Sequence, residues 1–181
     1  EVLDKDQLAE SFRNEGIHLF RAIDPEITYT FFNFKDPLVG GFAKEKIALR
    51  RAIAMAYNVG EEIRVIRQGQ AIQAQSIIPP GVVGYNPNYR SSIQYDPDLA
   101  NRLLDRFGYK KAADGYRTLP DGKPLLLHIQ GDASGAQRPF DELWKKSLDA
   151  IGIHVEFPKS NFADNLKAAR ACKLQMMGAA W

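Results

Sequence analysis

Three histidines, one cysteine and a few acidic pairs are the side chains of this chain best suited to chemistry, and their spacing argues against it. His18, His128 and His154 stand far apart, with no His-Glu-x-x-His run and no Cys-His cluster, so no transition-metal cage is expected. Glu61 and Glu62 are sequence neighbours; on a helix they point about 100° apart, which is poor geometry for paired acid and base work. No Gly-x-Ser-x-Gly elbow occurs. Gly131-Asp132-Ala133-Ser134-Gly135 has neither the spacing of a dinucleotide loop nor the Lys-Ser/Thr of a nucleotide loop. The residues therefore predict no catalytic centre, no metal and no cofactor. Binding is better supported. Segment 131–138, GDASGAQR, passes from a strand into a helix, and a helix start offers backbone N–H groups and a positive dipole end to a carboxylate. Arg138 stands at that start, where its planar fork suits a bidentate carboxylate contact; the alternative is a solvated helix-start residue. Trp181 ends an apolar strand, and aromatics at strand ends commonly line ligand sites; the alternative is a core Trp.

These candidates depend on the elements that hold them. Asp4 to Glu15 carries Leu8, Ala9 and Phe12 on one helical face and meets Gly16, which predicts a helix. Segments 17–22 and 27–34 are rich in β-branched and aromatic residues and predict two strands. In ITYTFFNF both faces hold aromatics, which predicts a central strand covered on each side. Lys44 to Tyr57 reads as an amphipathic helix with Ile47, Ala48, Ala52, Met55 and Ala56 toward the core. Glu61 to Arg67 reads as a second, shorter helix. Segment 76–90, with three prolines and two glycines, predicts an ordered loop, and Tyr85 within it suits packing more than ligand contact. Asp96-Pro97 opens a helix with Pro at its first position and Leu99, Leu103, Leu104 and Phe107 as its buried stripe. Segments 116–119 and 124–130 form the arms of a hairpin, followed by a helix over 138–151 with Trp144 largely buried. A strand at 153–157, a helix at 161–172 and a strand at 174–181 complete a parallel βαβαβ run. The fold class is α/β, a mixed sheet flanked by helices.

The chain is 45% hydrophobic and 25% charged, a composition that excludes disorder. Its 181 residues predict one domain with one core. The formal charge of +2 is spread along the chain, unlike the basic stripe that tracks phosphates, so no nucleic-acid partner is expected. No apolar run approaches the length of a membrane span. The lone Cys172, at a helix end, reads as a small half-buried residue. The first residues, EVLDKDQLAE, have no positive region followed by an apolar one, and the chain stops at an apolar Trp, which together suggest an excised, monomeric fragment.

Arg51, Ala52, Ile53 and Ala56, then Gly69 and Ala71, then Ile78-Pro79-Pro80, then Gly84-Tyr85 form an ordered set within Leu49–Asn86. Tyr95 to Gly108 reads YDPDLANRLLDRFG and is completed by Tyr109. This set resembles the extracellular solute-binding proteins of family 5, the dipeptide, oligopeptide and nickel receptors of ABC importers. The resemblance extends through 138–157 to the end of the chain. It implies part of the C-terminal lobe of a two-lobed periplasmic binding protein, periplasmic or lipid-anchored, taking a peptide or small solute and handing it to a membrane permease. In the receptors this chain resembles, an Arg near position 138 meets the peptide C-terminus, and a Gly-Trp pair opens onto the cleft. Here Ala180 precedes Trp181 in place of that Gly, which weakens the carry-over of backbone contacts. Similar modules also serve as ligand sensors in cytoplasmic transcriptional regulators, the competing reading; a signal peptide or a DNA-binding domain upstream separates the two.

Overall fold

The computed structural model describes residues 3–4 and 7–181, with side chains from Gln7 onward. Two compact units share the chain, residues 1–27 with 59–91 and residues 28–58 with 92–181. The first opens with a two-residue antiparallel pair, β1 (Leu3–Asp4) and β2 (Gln7–Leu8), and a short helix, α1 (Glu10–Asn14). The chain then builds β3 (Thr28–Phe32) and α2 (Lys44–Ala56) of the second unit. It returns to the first unit as α3 (Val59–Glu61), a π-helical turn (Glu62–Ile66) and a long stretch without regular structure. From Ser92 it completes the second unit with α4 (Pro97–Arg106), β4 (Leu126–Asp132), α5 (Arg138–Ala150), β5 (His154–Glu156), β6 (Lys159–Ser160), α6 (Phe162–Arg170) and β7 (Met176–Ala180).

The sheet of the second unit has the order β3-β7-β4-β5, with β6 also paired to β4. β4 runs parallel to β5, β6 and β7, and β3 runs antiparallel to β7, so the sheet is mixed. The β4-α5-β5 and β6-α6-β7 passages are the crossovers that parallel pairing requires. β4 alternates half-buried and buried residues along its length, with Leu127 and Ile129 inward. Helices α2, α4 and α5 contribute Leu49, Ile53, Leu104 and Leu148 to the same core as Leu127, Ile153 and Met176. Full burial of each such aliphatic side chain contributes roughly 1.5–3 kcal/mol. Asp96 caps α4, accepting from the Leu99 N–H at 2.7 Å, and Pro97 occupies the first turn, where a missing N–H costs nothing.

A polar hub lies inside this core. Arg117 is 2% exposed and donates to the carbonyls of Tyr109 (2.5 Å) and Ile151 (2.7 Å), to Asn101 Oδ1 (2.8 Å) and to Asp105 Oδ1 (2.5 Å). One guanidinium fork thus fixes the end of α4, the chain leaving it and the end of α5. The Tyr109 hydroxyl donates to the Glu45 carbonyl at 3.0 Å and ties α4's exit to the start of α2.

Several expectations are corrected. The helix expected over 4–15 is confined to Glu10–Asn14, and residues 5 and 6 of that span lie outside those described. Segment 17–22 forms no strand. β3 is not central: among the described residues it pairs with β7 alone, and Tyr29 to Phe32 are half-buried. Aromatics on both faces therefore mark a partly covered edge, not burial on two sides. On α2, Ile47 points outward at 37% exposure, while Leu49 and Ile53, absent from the expected stripe, are fully buried. On α4, Leu99 is exposed and Ala100 takes its place. The expected hairpin reduces to an isolated Thr118–Pro124 bridge and its flanking hydrogen bonds. Trp144 is half-buried, its ring centroid 4.1 Å from that of Tyr57. Cys172 is exposed, with φ of 55° just beyond α6.

Candidate functional site

Parallel strands end where their crossovers begin, so the C-terminal edge of such a sheet gathers loops and helix starts, the usual place for a ligand in open α/β sheets. β4 ends at Asp132 and β7 at Ala180. Because β3 is antiparallel to β7, the first residues of β3 arrive at the same edge: Thr28 lies opposite Ala180 and Tyr29 opposite Ala179. Trp181 follows directly. The residue is 83% exposed, and its Nε1–H donates to the Tyr29 hydroxyl at 2.5 Å. The ring is therefore held by one edge with its faces open. Tyr29 Oη accepts that bond, and among the described residues its own proton has no acceptor. An open apolar face beside a hydroxyl donor can take a flat or apolar group carrying a carbonyl or carboxylate oxygen. Ala180 is exposed on β7 beside this pair.

The passage from β4 to α5 starts at the same edge. Asp132 Oδ1 accepts from the Ser134 N–H at 2.8 Å, and a 3-10 turn, Gly135–Gln137, leads into α5. That turn consumes the Arg138 N–H, which donates to the Gly135 carbonyl, and Pro139 has none to give. The helix start thus offers fewer free donors than its sequence implies. Arg138 Nε donates to Glu142 Oε1 at 2.8 Å, one turn along α5, with the Arg138 side chain 82% exposed. No hydrogen bond or ion pair joins Arg138 to Trp181 among the described residues. Tyr85 belongs to the first unit, is 40% exposed, and donates its backbone N–H to the Val82 carbonyl in the Pro/Gly loop.

The structure thus brings Ala180 and Trp181 together with Tyr29, places Arg138 at the helix start after β4, and leaves Tyr85 in the other unit. Tyr29 was not singled out by its sequence context. Its role depends on a partner 152 residues away, and strand pairing at that range leaves no local pattern. The histidines serve elsewhere: His128 Nε2 lies 3.3 Å from Glu156 on the adjacent strand, and the His154 ring centroid is 4.9 Å from that of Tyr116. No group of three or more His, Cys, Asp or Glu suited to a metal occurs among the described residues. A surface depression of about 500 Å³ in the first unit, bordered by Arg13, His18 and Arg21, includes none of the four expected site residues.

The model of bacterial extracellular solute-binding proteins, family 5 Middle, matches residues 2–181. The "Di/tripeptide-binding protein 2" of Pseudomonas aeruginosa is 30% identical over 135 residues, 74% of this chain and 23% of that protein. The "Dipeptide-binding protein" of Escherichia coli is 23% identical over 96% of this chain and 30% of its own length. The crystal structure of NikA from Brucella suis in complex with Fe(III)-EDTA superposes with a TM-score of 0.74 at 24% identity, covering 95% of this chain and 34% of that one. The chain spans about a quarter to a third of the length of these proteins. Over that span it belongs to the bacterial extracellular solute-binding proteins, family 5.

Proposed function

We propose that this chain forms one wall of the ligand cleft in the substrate-binding receptor of an ABC importer, within the C-terminal lobe of a two-lobed protein. The receptor works outside the cytoplasmic membrane, periplasmic or lipid-anchored. It captures a peptide or similar small solute and delivers it to a membrane permease, without chemistry of its own. The observation that carries this reading is the indole of Trp181, held edge-on by Tyr29 with its faces open at the C-terminal edge of the parallel strands. The peptide-binding names of two relatives favour a peptide. No observation favours the transcriptional regulator.

In this reading Trp181 supplies apolar contact, Tyr29 donates to a ligand oxygen, and Ala180 lines the floor beside them. Arg138 receives the ligand carboxylate. Its bond to Glu142 is an exposed i,i+4 pair, a type contributing about 0.3–0.5 kcal/mol. A ligand carboxylate in a partly desolvated cleft, gaining roughly 1.5–3 kcal/mol from a charge-assisted hydrogen bond, displaces it. Tyr85 keeps a packing role in its loop.

The test is calorimetric titration of the full-length protein with di- and tripeptides. Arg138→Ala weakens binding about ten- to a hundredfold, the equivalent of about 1.4–2.8 kcal/mol, and weakens it less for peptides amidated at the C-terminus. Trp181→Ala weakens both peptide forms with little dependence on salt. Unchanged affinity for carboxylate-bearing ligands in Arg138→Ala removes Arg138 from the site. Unchanged affinity in Trp181→Ala removes the aromatic wall.

A further inference from the structure

At the end of the β3–β7 ribbon away from Trp181, the chain builds a second exposed aromatic feature. Phe34 and Phe42 are 51% and 80% exposed, yet their rings lie 5.4 Å apart, centroid to centroid. The loop that carries them is fixed from several sides. Asn33 Nδ2 donates to the carbonyls of Cys172 and Leu174, and Asp36 Oδ1 accepts from the Leu38 and Val39 N–H groups. Arg50 donates to the Val39 carbonyl at 2.6 Å and holds its guanidinium 4.5 Å from the centre of the Phe34 ring. Within these 181 residues the two phenyl rings form an exposed apolar pair on a loop pinned by hydrogen bonds.

The charge around the rings has one dominant sign. Residues 33–51 include Lys35, Lys44, Lys46, Arg50 and Arg51 against Asp36 and Glu45, a net +3. The whole chain carries +2, so all other residues together carry −1. Lys44, Ile47 and Arg51 fall at i, i+3 and i+7 along α2, on one helical face, and Ile47 is the outward-facing apolar residue of that helix. Asp36 is engaged in capping its own loop. Lys35, Lys44 and Arg51 form no ion pair among the described residues.

We propose that this face docks on an anionic membrane surface, with Phe34 and Phe42 entering the headgroup boundary and the surrounding cations meeting lipid phosphates. Aromatic side chains over a basic surround are the composition that interfacial binding uses, combining apolar area with attraction to negative headgroups. The docking face and Trp181 lie at opposite ends of β3, about 14–17 Å apart at strand rise, so lipid contact leaves the ligand edge open.

The experiment is vesicle co-sedimentation of the full-length protein free of any covalent lipid. The vesicles are pure phosphatidylcholine and phosphatidylcholine mixed with phosphatidylglycerol. Binding is expected on the anionic vesicles and not on the neutral ones, and it falls as added salt shortens the screening length. Phe42→Ser and Lys44→Gln, both at exposed positions, each lower the partition coefficient about fivefold, with melting temperature and peptide affinity unchanged. Equal partitioning to both vesicle types overturns the proposal, as does its absence from both or wild-type partitioning by the double variant. An acidic protein segment as the true occupant gives the second of those results. Failure of the wild-type protein to bind any peptide refutes the receptor reading instead and leaves this one standing.

Discussion

Arg117→Ala is the substitution for which the structure gives the sharpest expectation. The guanidinium is the donor to two buried carbonyls, those of Tyr109 and Ile151, and to the side chains of Asn101 and Asp105. Truncation leaves both carbonyls without that donor in a site that water does not reach, at about 1–3 kcal/mol each. Asp105 behaves differently, because its side chain is 65% exposed and rehydrates when the partner leaves. The sum is about 2–6 kcal/mol, a large fraction of a domain's total stability. Arg117→Lys keeps the charge but replaces the fork with a single ammonium, so it recovers part of the loss. Asp105→Asn keeps an acceptor for the guanidinium but leaves its buried charge without a counter-ion, so it costs about 1–3 kcal/mol, less than Arg117→Ala. Urea denaturation of the three variants, read by circular dichroism, gives the ordering directly. A loss below about 1 kcal/mol for Arg117→Ala, or a loss for Asp105→Asn as large as that for Arg117→Ala, refutes the hub: the stabilisation would then belong to the ion pair and not to the carbonyls.

Tyr109 titrates late: burial, reinforced by Glu45, pushes its phenol up to about 12, while Arg50 pulls the other way. A phenol with a folded pKa above its unfolded value near 10 contributes stability that is complete below about pH 10 and is lost as pH rises toward 12. Phenolate absorbance should show one of the seven tyrosines ionising last, and Tyr109→Phe should remove that step. Gly40→Ala should destabilise the second unit by about 1–3 kcal/mol, because a Cβ there would sit 2.3 Å from the Phe34 carbonyl oxygen and 2.5 Å from that of Asp36. Both are backbone atoms that cannot swing aside, and thermal melting of the variant measures the cost.

How much of this was legible in the sequence depends on the range of each interaction. Helix α2 was expected over 44–57 and spans Lys44–Ala56; α4 begins at Pro97 as its Asp-Pro start predicts; Val155 points inward between exposed His154 and Glu156 on β5. Those features are written in local periodicity and capping chemistry. The faces of α2 and α4 were less legible, because Leu49, Ile53 and Ala100 are buried by contact with one another's helices and not by their place in a single moment. β3 was misplaced for a related reason. Composition reports how apolar a strand is, but not which neighbours it finds, and its pairing with β7 spans nearly the whole chain. Arg117 is the clearest omission. An arginine between two turns reads as solvated until the fold wraps the ends of two helices around it. At the candidate site, Arg138 and Trp181 were visible as residue types at element ends, whereas the Tyr29 contact that orients the indole was not.

The outer margin of β3 carries a consequence for the behaviour of the protein in a tube. The Asn33 N–H donates to the Gln175 carbonyl, so by antiparallel alternation Tyr29 and Phe31 also turn their amides toward β7. The amides and carbonyls of Thr28, Thr30 and Phe32 then point the opposite way. The run Thr-Tyr-Thr-Phe-Phe holds no charge, no proline and no bulge, the usual guards against edge-to-edge pairing. These 181 residues in isolation therefore present a short, sticky template. Concentrating them should produce self-association that grows with protein concentration, and a single lysine at the exposed Thr28, whose amide and carbonyl face that margin, should suppress it.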